Sequence, residues 1–304
     1  MVAKIEFDTL VEDAIRQANL SNLRPVVEKE LLHYDILFCL SEAGLLRTLT
    51  FQGGTSLRLC YGANRFSEDL DFAGGRDFCS ADLTAMKTCI EGYVGSRYGL
   101  EVTVKGPDEL RDEPEYAEVR IDKWQISVTT APKRKDLPQQ RIKIEVANIP
   151  AYTRTPRQLV RNYTVLPDGY NDILIGVESL NEVMADKLIS FPATTRRIRY
   201  RDMWDLVWLR QQGASADTAL VMKKINDYRL EGYAQRLQER IASLPSIIQD
   251  GRFHAEMKRF IPAAVYDTSL GREGFNDFLE TMLTELLTQL KKDLGKPDSP
   301  GFRL

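Results

Sequence analysis

The stretch FQGGTSLRLCYGANRFSEDLDF, residues 51 to 72, carries the densest group of chemically informative side chains in the sequence. It contains a glycine pair, two hydroxyl residues and two aspartates at i, i+2 spacing: Gly53, Gly54, Thr55, Ser56, Asp69 and Asp71. Side chains alternate faces along a strand, so we expect both carboxylates to project to the same side. Two hard oxygen ligands in this arrangement suit a Mg²⁺ ion that also binds substrate phosphates.

The glycine pair indicates how a phosphate is held beside that ion. Glycine lets backbone N–H groups approach a phosphate closely, and the adjacent hydroxyls add donors. Residues Thr55 to Tyr61 are expected to open a helix whose N-terminus faces the phosphate. A plainer alternative is that the acidic residues near Arg65 form a surface strand end or a salt-bridged turn. The glycine turn, the following helix and the DxD occur within roughly twenty residues, which favours the metal site.

The composition is that of an ordinary globular protein. It excludes only a general electrostatic attraction of the whole protein to polyanions. Among 304 residues, 43% are hydrophobic and 28% charged, and the net charge of −3 does not attract nucleic acid or an anionic membrane. Basic residues nevertheless cluster at Lys133–Lys135, at Arg154, Arg157 and Arg161, and at Arg196, Arg197, Arg199 and Arg201. Each cluster is either a solvated face or a local contact for nucleic-acid phosphates.

Cysteine and histidine usage argues against a zinc site, because the four cysteines show no CxxC spacing and only two histidines occur. The N-terminus MVAKIEFDTLVED lacks the apolar core of a signal peptide. No apolar run approaches the roughly 18 residues of a membrane span. We therefore expect a cytoplasmic protein with no membrane partner.

Hydrophobic periodicity predicts an α/β (α+β) half, followed by an all-helical half. In the first half we predict helices at 22–46, 55–61 and 81–98, and strands at 49–52, 69–72, 100–104, 116–121, 124–130 and 141–149. Beyond Glu178 we predict helices at 179–191, 201–212, 216–230, 232–242 and 276–294. The expected domains are residues 1–190, with the α/β fold and N-terminal helices, and residues 191–304, which are helical.

Glu145 is the natural candidate for a third carboxylate. Its strand alternates cleanly, with Ile142 and Ile144 on one face and Lys143 and Glu145 on the other. If this strand lies beside the DxD strand, Glu145 would complete a metal shell or accept the proton of an attacking hydroxyl. Because alternation gives only the face, a solvent-exposed Glu145 on a half-exposed strand is the alternative.

Lys187 is notable because it lies in an apolar helical stripe. The stripe consists of Leu180, Val183, Met184, Lys187, Leu188 and Phe191. A lysine there either extends its ammonium to water or meets an anion. We favour an anion, and specifically the triphosphate that the glycine turn and the DxD predict.

Asp202 and Asp205 are spaced i, i+3 and share one face of the next predicted helix. Acidic residues are common in the first turn of a helix, because their negative charge interacts favourably with the helix dipole there. Asp202 could instead orient Lys187 or a nucleotide hydroxyl. The sequence leaves both interpretations open.

These motifs together resemble a known family. The run EKELLHYDILFCLSEAGLLRTLTFQGGTSLRLCYGANRFSEDLDF, with the later ADKL and RYRDMWDL, resembles the AbiEii/AbiGii-type nucleotidyltransferase toxins. That family belongs to the DNA polymerase β-like nucleotidyltransferase superfamily. The resemblance covers about residues 25–210 and implies a polymerase β-like core with a mixed sheet, followed by a C-terminal helical domain. Residues 215–304 look like the variable helical half of the family and carry no recognised motif.

The resemblance also implies roles for individual positions. It implies phosphate binding by Gly53, Gly54, Thr55, Ser56 and Lys187, metal binding by Asp69 and Asp71 with Glu145 as a looser third ligand, and an acidic contribution from Asp202 and, second to it, Asp205. Arg65 and Ser67 match the RxS that precedes the DxD. There the arginine either braces the metal-binding strand or touches a phosphate.

The implied chemistry is in-line attack on the α-phosphorus of an NTP, with pyrophosphate leaving and Mg²⁺, or Mn²⁺ in its place, as the cofactor. Family members characterised as toxins are similar in transferring nucleotides to RNA, notably to the 3′ end of tRNA. They act in toxin–antitoxin and abortive-infection systems that defend against phage. The resemblance therefore implies a toxin that blocks translation, with NTP, tRNA or another RNA, and a cognate antitoxin encoded by a neighbouring gene as partners.

Other acceptors fit the same metal site. One is a protein hydroxyl, as in AMPylation, and another is a small molecule such as an aminoglycoside. A catalytically dead binding module is a third hypothesis from a different class. It predicts the loss of metal or phosphate residues, whereas every such residue is present here.

Overall fold

The computed structural model describes residues 6–110, 120–133 and 138–296. These residues form two compact units, of which the first ends at Glu178 and the second begins at Ser179. The predicted order, a mixed α/β region followed by a helical region, is confirmed. The assignment of residues 1–190 and 191–304 to separate domains stays a prediction.

The described part of the first unit is built on a seven-stranded mixed sheet with four α-helices. Its elements are α1 (Phe7–Ala18), α2 (Arg24–Glu42), β1 (Thr50–Gln52), α3 (Gly53–Tyr61), β2 (Leu70–Ala73), α4 (Met86–Tyr98), β3 (Val102–Lys105), β4 (Ile121–Val128), β5 (Gln140–Ala147), β6 (Thr155–Gln158) and β7 (Leu174–Val177). The strand order is β3-β4-β5-β2-β1-β7-β6. β2 pairs with β5, and β1 with β7, in parallel, and the other neighbours are antiparallel.

The centre of this sheet is fixed by the alternation of apolar and polar residues along β2. Leu70 and Phe72 are fully buried, and Phe72 stacks on Phe51 of β1 with ring centroids 5.0 Å apart. Asp69 and Asp71, at the alternate positions, are only half-buried. The period-2 pattern therefore places both carboxylates on the face opposite the aromatic core, as predicted.

Several element boundaries differ from the predictions. The strand predicted at 116–121 lies outside the described residues except for its end, since β4 begins at Ile121. The helix predicted at 81–98 is a 3₁₀ turn, Ser80–Leu83, followed by α4. β6 and β7 were not predicted, because two four-residue strands give too short a pattern to recognise.

The second unit is helical throughout its described residues. Its elements are α5 (Leu180–Ala193), α6 (Tyr200–Gln211), α7 (Thr218–Asp227), α8 (Tyr233–Ile248), α9 (Gly251–Met257), α10 (Ala263–Asp267) and α11 (Phe275–Leu294). α5 packs against α6, α7 and α8, and α11 packs against α8. The predicted end of α8 at Ala242 was too early, because Pro245 is tolerated inside the helix. Of the helices described in either unit, none has the length and apolar character needed to cross a membrane.

Candidate active site

The glycine turn directly follows β1, forms the first two residues of α3 and packs against the DxD strand. Gly53 has φ +76°, in the left-handed region that favours glycine. A Cβ on Gly53 would lie 2.6 Å from Asp71 Oδ2. A Cβ on Gly54 would overlap the Arg65 guanidinium and lie 3.0 Å from Ser67 Oγ. The turn therefore needs glycine at both positions, and this close approach brings the start of α3 against Asp71.

The two hydroxyls of the turn fasten it in place. Thr55 Oγ1 donates to the Asp69 carbonyl, and Ser56 Oγ donates to the Gly53 carbonyl at 2.8 Å. Both side chains are buried. Their hydroxyl hydrogens are thus used within the protein, and α3 offers an anion the first N–H groups of its backbone. Phosphate binding by the hydroxyls stays a prediction.

The RxS segment supports the turn from the other side. Arg65 and Ser67 are both buried, and Arg65 Nη1 donates to the Phe66 carbonyl at 2.8 Å. The same guanidinium occupies the space that a side chain at position 54 would need. Of the two roles that the sequence left open for Arg65, this geometry favours bracing over phosphate contact.

The register of the sheet aligns the three predicted carboxylates on one face. β2 and β5 run parallel, with Asp71 opposite Glu145. Directly opposite residues in a ladder project to the same face, so the neighbouring-strand condition for a Glu145 role is met. Asp69 precedes β2, and its Oδ1 accepts a hydrogen bond from the Lys143 backbone N–H at 3.3 Å.

Lysines share this face with the carboxylates. Lys143 lies two residues before Glu145 on β5, and Lys123 of β4 lies directly opposite Glu145. Sequence reasoning missed Lys123, because alternation assigns its face but not its partner strand. We call Asp69, Asp71, Glu145, Lys123 and Lys143 the open carboxylate face. All five side chains are half-buried, so charge on this face is in reach of solvent and substrate.

The donor chemistry of this face fits a hard divalent cation without forming a closed cage. Asp69 and Asp71 supply carboxylate oxygens, which Mg²⁺ prefers. Among the residues that the structure describes, no group of three or more His, Cys, Asp or Glu side chains is arranged to hold a metal ion. Mg²⁺ is commonly held by one or two carboxylates together with substrate phosphates and water, so the aspartate pair suffices. Glu145 as a third ligand stays a prediction.

In the second unit, Lys187 of α5 is buried and held by two carboxylates of α6. Its Nζ lies 2.6 Å from Asp202 Oδ1 and 3.1 Å from Asp205 Oδ2, and the residue is 4% exposed. The lysine therefore meets an anion rather than water, but the anions in the structure belong to the protein itself. Of the roles left open for Asp202, orienting Lys187 is the one that this geometry supports.

Both carboxylate oxygens of Asp202 accept hydrogen bonds. Besides Lys187, its Oδ2 accepts hydrogen bonds from Ser190 Oγ at 2.8 Å and from Arg199 Nε at 2.5 Å. Burial acts to raise the pKa of Asp202, but the neighbouring Arg199 and Lys187 cations outweigh it, and the pKa lies well below its usual range. Asp202 is therefore a permanent anion that holds the Lys187 ammonium in one position.

A second buried lysine, Lys224 of α7, was missed by the sequence reasoning. Its Nζ lies 2.9 Å from Glu182 Oε1 and 2.8 Å from Asp186 Oδ2, both on α5. The available sign was the same as for Lys187, a lysine at a core position of an amphipathic helix. We call the set Lys187, Lys224, Glu182, Asp186, Asp202 and Asp205 the buried ion network.

The structure gathers the predicted site residues into two groups. The first unit contains Gly53, Gly54, Thr55, Ser56, Arg65, Ser67, Asp69, Asp71 and Glu145, and the second contains Lys187, Asp202 and Asp205. Each group is internally connected by the contacts described above. The first has the features of a phosphate and metal site, and the second is a buried lysine held by carboxylates.

A sequence profile of one family, described as “Nucleotidyl transferase AbiEii toxin, Type IV TA system”, matches residues 35–297. Because the match spans most of the sequence, the chain belongs to this family. It is a nucleotidyltransferase toxin of the kind found in type IV toxin–antitoxin systems. Membership of the family implies an NTP substrate and an antitoxin partner.

Two solved structures illustrate what the chain is similar to. The nucleotidyltransferase toxin MenT4 from Mycobacterium tuberculosis has a TM-score of 0.56 and 18% identity, over 97% of this chain and 92% of that chain. JHP933 from Helicobacter pylori has a TM-score of 0.44 and 16% identity, over 88% of this chain and 92% of that chain. No curated protein matches the chain by sequence. The similarity to MenT4 confirms the predicted fold.

Proposed function

We propose that the chain uses Mg²⁺ to transfer a nucleoside monophosphate from an NTP to RNA, with the 3′ end of tRNA as the acceptor. A tRNA whose CCA end is lengthened cannot be aminoacylated, so translation stops. The observation that carries the proposal is the contact of Gly53 with Asp71, which brings the start of α3 against the DxD strand. A phosphate site and a metal site are thereby adjacent.

The triphosphate is assigned to the N-terminus of α3. The first N–H groups of a helix have no partner within the helix, and the helix dipole favours an anion there. The hydrogen bonds of Thr55 and Ser56 hold these N–H groups in place before substrate arrives. Binding energy is then used for positioning the α-phosphorus rather than for ordering the turn.

The metal ion is assigned to Asp69 and Asp71, with Glu145 as a further ligand or as the base for the attacking hydroxyl. When bound, Mg²⁺ offsets negative charge on the triphosphate, and Mn²⁺ is expected to substitute for it. The hydrogen bond from the Lys143 N–H holds Asp69 in position. Lys123, opposite Glu145, places a cation on the same row of the sheet.

Lys187 is assigned to the leaving pyrophosphate. An ammonium has three N–H donors. Two of them are accounted for by Asp202 and Asp205, and the third is assigned to a phosphate oxygen. The carboxylates would therefore aim the lysine, and the lysine would stabilise charge that develops on the leaving group.

The family supports a nucleotidyltransferase toxin, and the RNA acceptor distinguishes this proposal from other nucleotidyl transfers. The test is incubation of the full chain with Mg²⁺, each α-labelled NTP in turn, and either total RNA or total protein. We expect label in the tRNA band, dependent on the metal and absent with EDTA.

The acceptor pools give this test a clear contrary outcome. Label found only in protein would show transfer to a protein hydroxyl, and label found only in an added aminoglycoside would show transfer to a small molecule. Asp69→Asn, purified and assayed in the same way, tests the assigned metal site. Labelling that survives in Asp69→Asn would disprove the assigned metal site.

A further inference from the structure

The basic run RRIRYR, residues 196–201, is divided by the fold into an inward and an outward part. Arg199 is bonded to Asp202, and Arg201 lies 3.4 Å from Glu256 with its guanidinium over the Phe260 ring. Arg196 and Arg197, in the segment between α5 and α6, are exposed. Half of the run is therefore structural, and the other half has no packing role that explains it.

Two arginines of α8 converge on the backbone just before this exposed pair. Arg236 Nη1 donates to the Ala193 carbonyl at 3.4 Å, and Arg240 Nη2 donates to the Thr194 carbonyl at 2.8 Å. Arg196 follows Thr194 by two residues, so their Cα atoms are at most about 7 Å apart. We call Arg196, Arg197, Arg236 and Arg240 the cationic cluster.

The cationic cluster is not neutralised by the protein. Within the described ranges, none of its four guanidinium groups forms an ion pair with a carboxylate. By contrast, the adjacent Arg199 and Arg201 both do. Four uncompensated positive charges on a chain of net charge −3 produce a local field that attracts a polyanion.

In the other basic clusters, more of the side chains are used in contacts within the protein. Arg154 is close to two backbone carbonyls, those of Arg47 and Leu49, and Arg161 pairs with Asp168. The cluster at Lys133–Lys135 lies mostly outside the described residues. Among the described residues, the cationic cluster therefore has more guanidinium groups without a carboxylate partner than either of these two clusters.

We propose that the cationic cluster binds the phosphodiester backbone of the RNA acceptor. Guanidinium groups match phosphate oxygens through paired N–H donors, and contacts of this kind position a nucleic acid without reading its sequence. This inference rests on the proposed RNA acceptor, and it adds a binding surface outside the residues assigned to chemistry. The cluster supplies affinity for RNA and leaves the transfer step unchanged.

Helix capping accounts for part of the cluster and defines the experiment. Arg236 and Arg240 bind carbonyls at the C-terminus of α5, where cations favour the helix dipole. That role would suffice for these two residues. It does not apply to the exposed Arg196 and Arg197, so the test removes only those two.

The test compares Arg196→Ala/Arg197→Ala with Arg16→Ala/Arg252→Ala. Both double variants remove two exposed arginines and change the net charge equally, but Arg16 and Arg252 pair with nearby aspartates in other parts of the chain. Binding of fluorescently labelled total tRNA to the full chain is measured by anisotropy over a range of KCl concentrations. Steady-state transfer to RNA is measured alongside.

We expect the first double variant to bind tRNA about tenfold more weakly. The slope of log K against log salt should fall by about 1.4 to 1.8, since each lost phosphate contact removes about 0.7 to 0.9. The KM for RNA should rise while kcat stays at the wild-type value. The control variant should match the wild type in all three quantities.

The outcomes separate this inference from the proposed function. If wild-type protein labels RNA and the two double variants bind tRNA alike, the cationic cluster is not the RNA surface, although RNA remains the acceptor. If wild-type protein neither binds nor labels RNA, the proposed function itself fails. If the first variant keeps its RNA affinity but no longer binds the antitoxin, the cluster is a protein interface and the inference is overturned.

Discussion

The open carboxylate face and the buried ion network hold their charges in opposite ways. In the first, Asp69, Asp71 and Glu145 are half-buried on strands, with lysines beside them on the same face. In the second, Lys187 and Lys224 are buried, and each is held by two carboxylates. One arrangement leaves charge accessible, and the other neutralises it within the helical unit.

This difference separates two uses of charge in one enzyme. Buried ion pairs recover in mutual attraction roughly what they lose in desolvation, but removing one partner leaves an uncompensated buried charge. Accessible carboxylates contribute little to folding and can accept a cation from solvent. Mutations on the open carboxylate face should therefore affect activity, and mutations in the buried ion network should affect stability, with Lys187 expected to affect both.

Asp71→Asn is expected to have the largest effect on activity. The substitution preserves the shape of the side chain but removes the charge that the metal requires, so kcat for nucleotide transfer should fall by at least about a thousandfold, or ~4 kcal/mol. The free energy of unfolding should change by less than about 1 kcal/mol, because the residue is half exposed. Label transfer to RNA and urea denaturation measure the two quantities.

Asp168→Asn is the matched control for this prediction, because it makes the same change of charge at a fully exposed residue. It should leave transfer unchanged. The contrast between the two regions would break down if Asp71→Asn unfolded the protein while keeping its activity per folded molecule.

Lys187→Met is expected to lower the free energy of unfolding by roughly 3–4 kcal/mol, because Asp202 and Asp205 would both lose the ammonium that they contact. Lys224→Met, which removes the ammonium that Glu182 and Asp186 contact, should cost a similar amount. Urea denaturation at constant pH gives both values.

Only Lys187→Met should abolish transfer in protein that is still folded, as judged by circular dichroism. Equal specific activities in the two variants would show that Lys187 has only a structural role.

Gly53→Ala tests whether the phosphate turn depends on its contact with Asp71. Gly62→Ala is its matched control, since Gly62 has φ +75°, close to the +76° of Gly53, but no atom lies within 4 Å of its added Cβ. Gly62→Ala should cost about 1 kcal/mol for backbone conformation alone. Gly53→Ala should cost about 2–3 kcal/mol and reduce transfer by more than about tenfold, because Asp71 must move. Equal losses of stability would show that this contact is easily relieved.

His33 gives a pH-dependent test of the support beneath the open carboxylate face. Its Nε2 contacts the Glu68 carbonyl at 3.0 Å, one residue before Asp69. Burial lowers the pKa of His33 to about 4. In the unfolded chain the pKa of His33 is about 6.5. Between pH 6.5 and pH 4 the unfolded chain therefore binds a proton at His33 and the folded chain does not, so the free energy of unfolding decreases as the pH falls through this range.

At pH 5 the loss from His33 relative to pH 7.5 should be about 2 kcal/mol. His33→Gln should therefore lose about that much less than the wild type between these pH values, as measured by urea denaturation. Burial raises the pKa of Asp35 to about 6, which acts in the opposite direction, but Asp35 is present in both proteins and cancels in the comparison. Equal pH dependence would show that folding does not lower the pKa of His33.

Local patterns predicted the parts of the site that lie within one segment. The alternation at Asp69–Phe72 indicated the faces of β2, and Gly53 and Gly54 indicated the turn that opens α3, because both features are set by near neighbours. The pairing of Asp71 with Glu145 depends on a contact between strands 74 positions apart. Neither strand encodes this partner choice alone, so the role of Glu145 was open and Lys123 was missed.

The partner of Lys187 shows a different limit. The apolar stripe correctly indicated that this lysine meets an anion, because a buried ammonium needs one. Hydropathy does not say which anion. We favoured the triphosphate, whereas the structure places Asp202 and Asp205 at Nζ. A carboxylate on the next helix can serve as the anion beside a buried lysine just as well as a substrate phosphate can. Only the packing of the two helices shows which of these anions the lysine contacts.

The parallel pairing of β2 with β5 has a consequence for the cell that makes this enzyme. A ribosome adding about 5–20 residues per second needs roughly 4–15 s to travel from codon 71 to codon 145. Until then the nascent chain carries the DxD but lacks the strand that lies beside it in the sheet. A product that terminates before residue 145 lacks this strand, and we expect it to be inactive in nucleotide transfer.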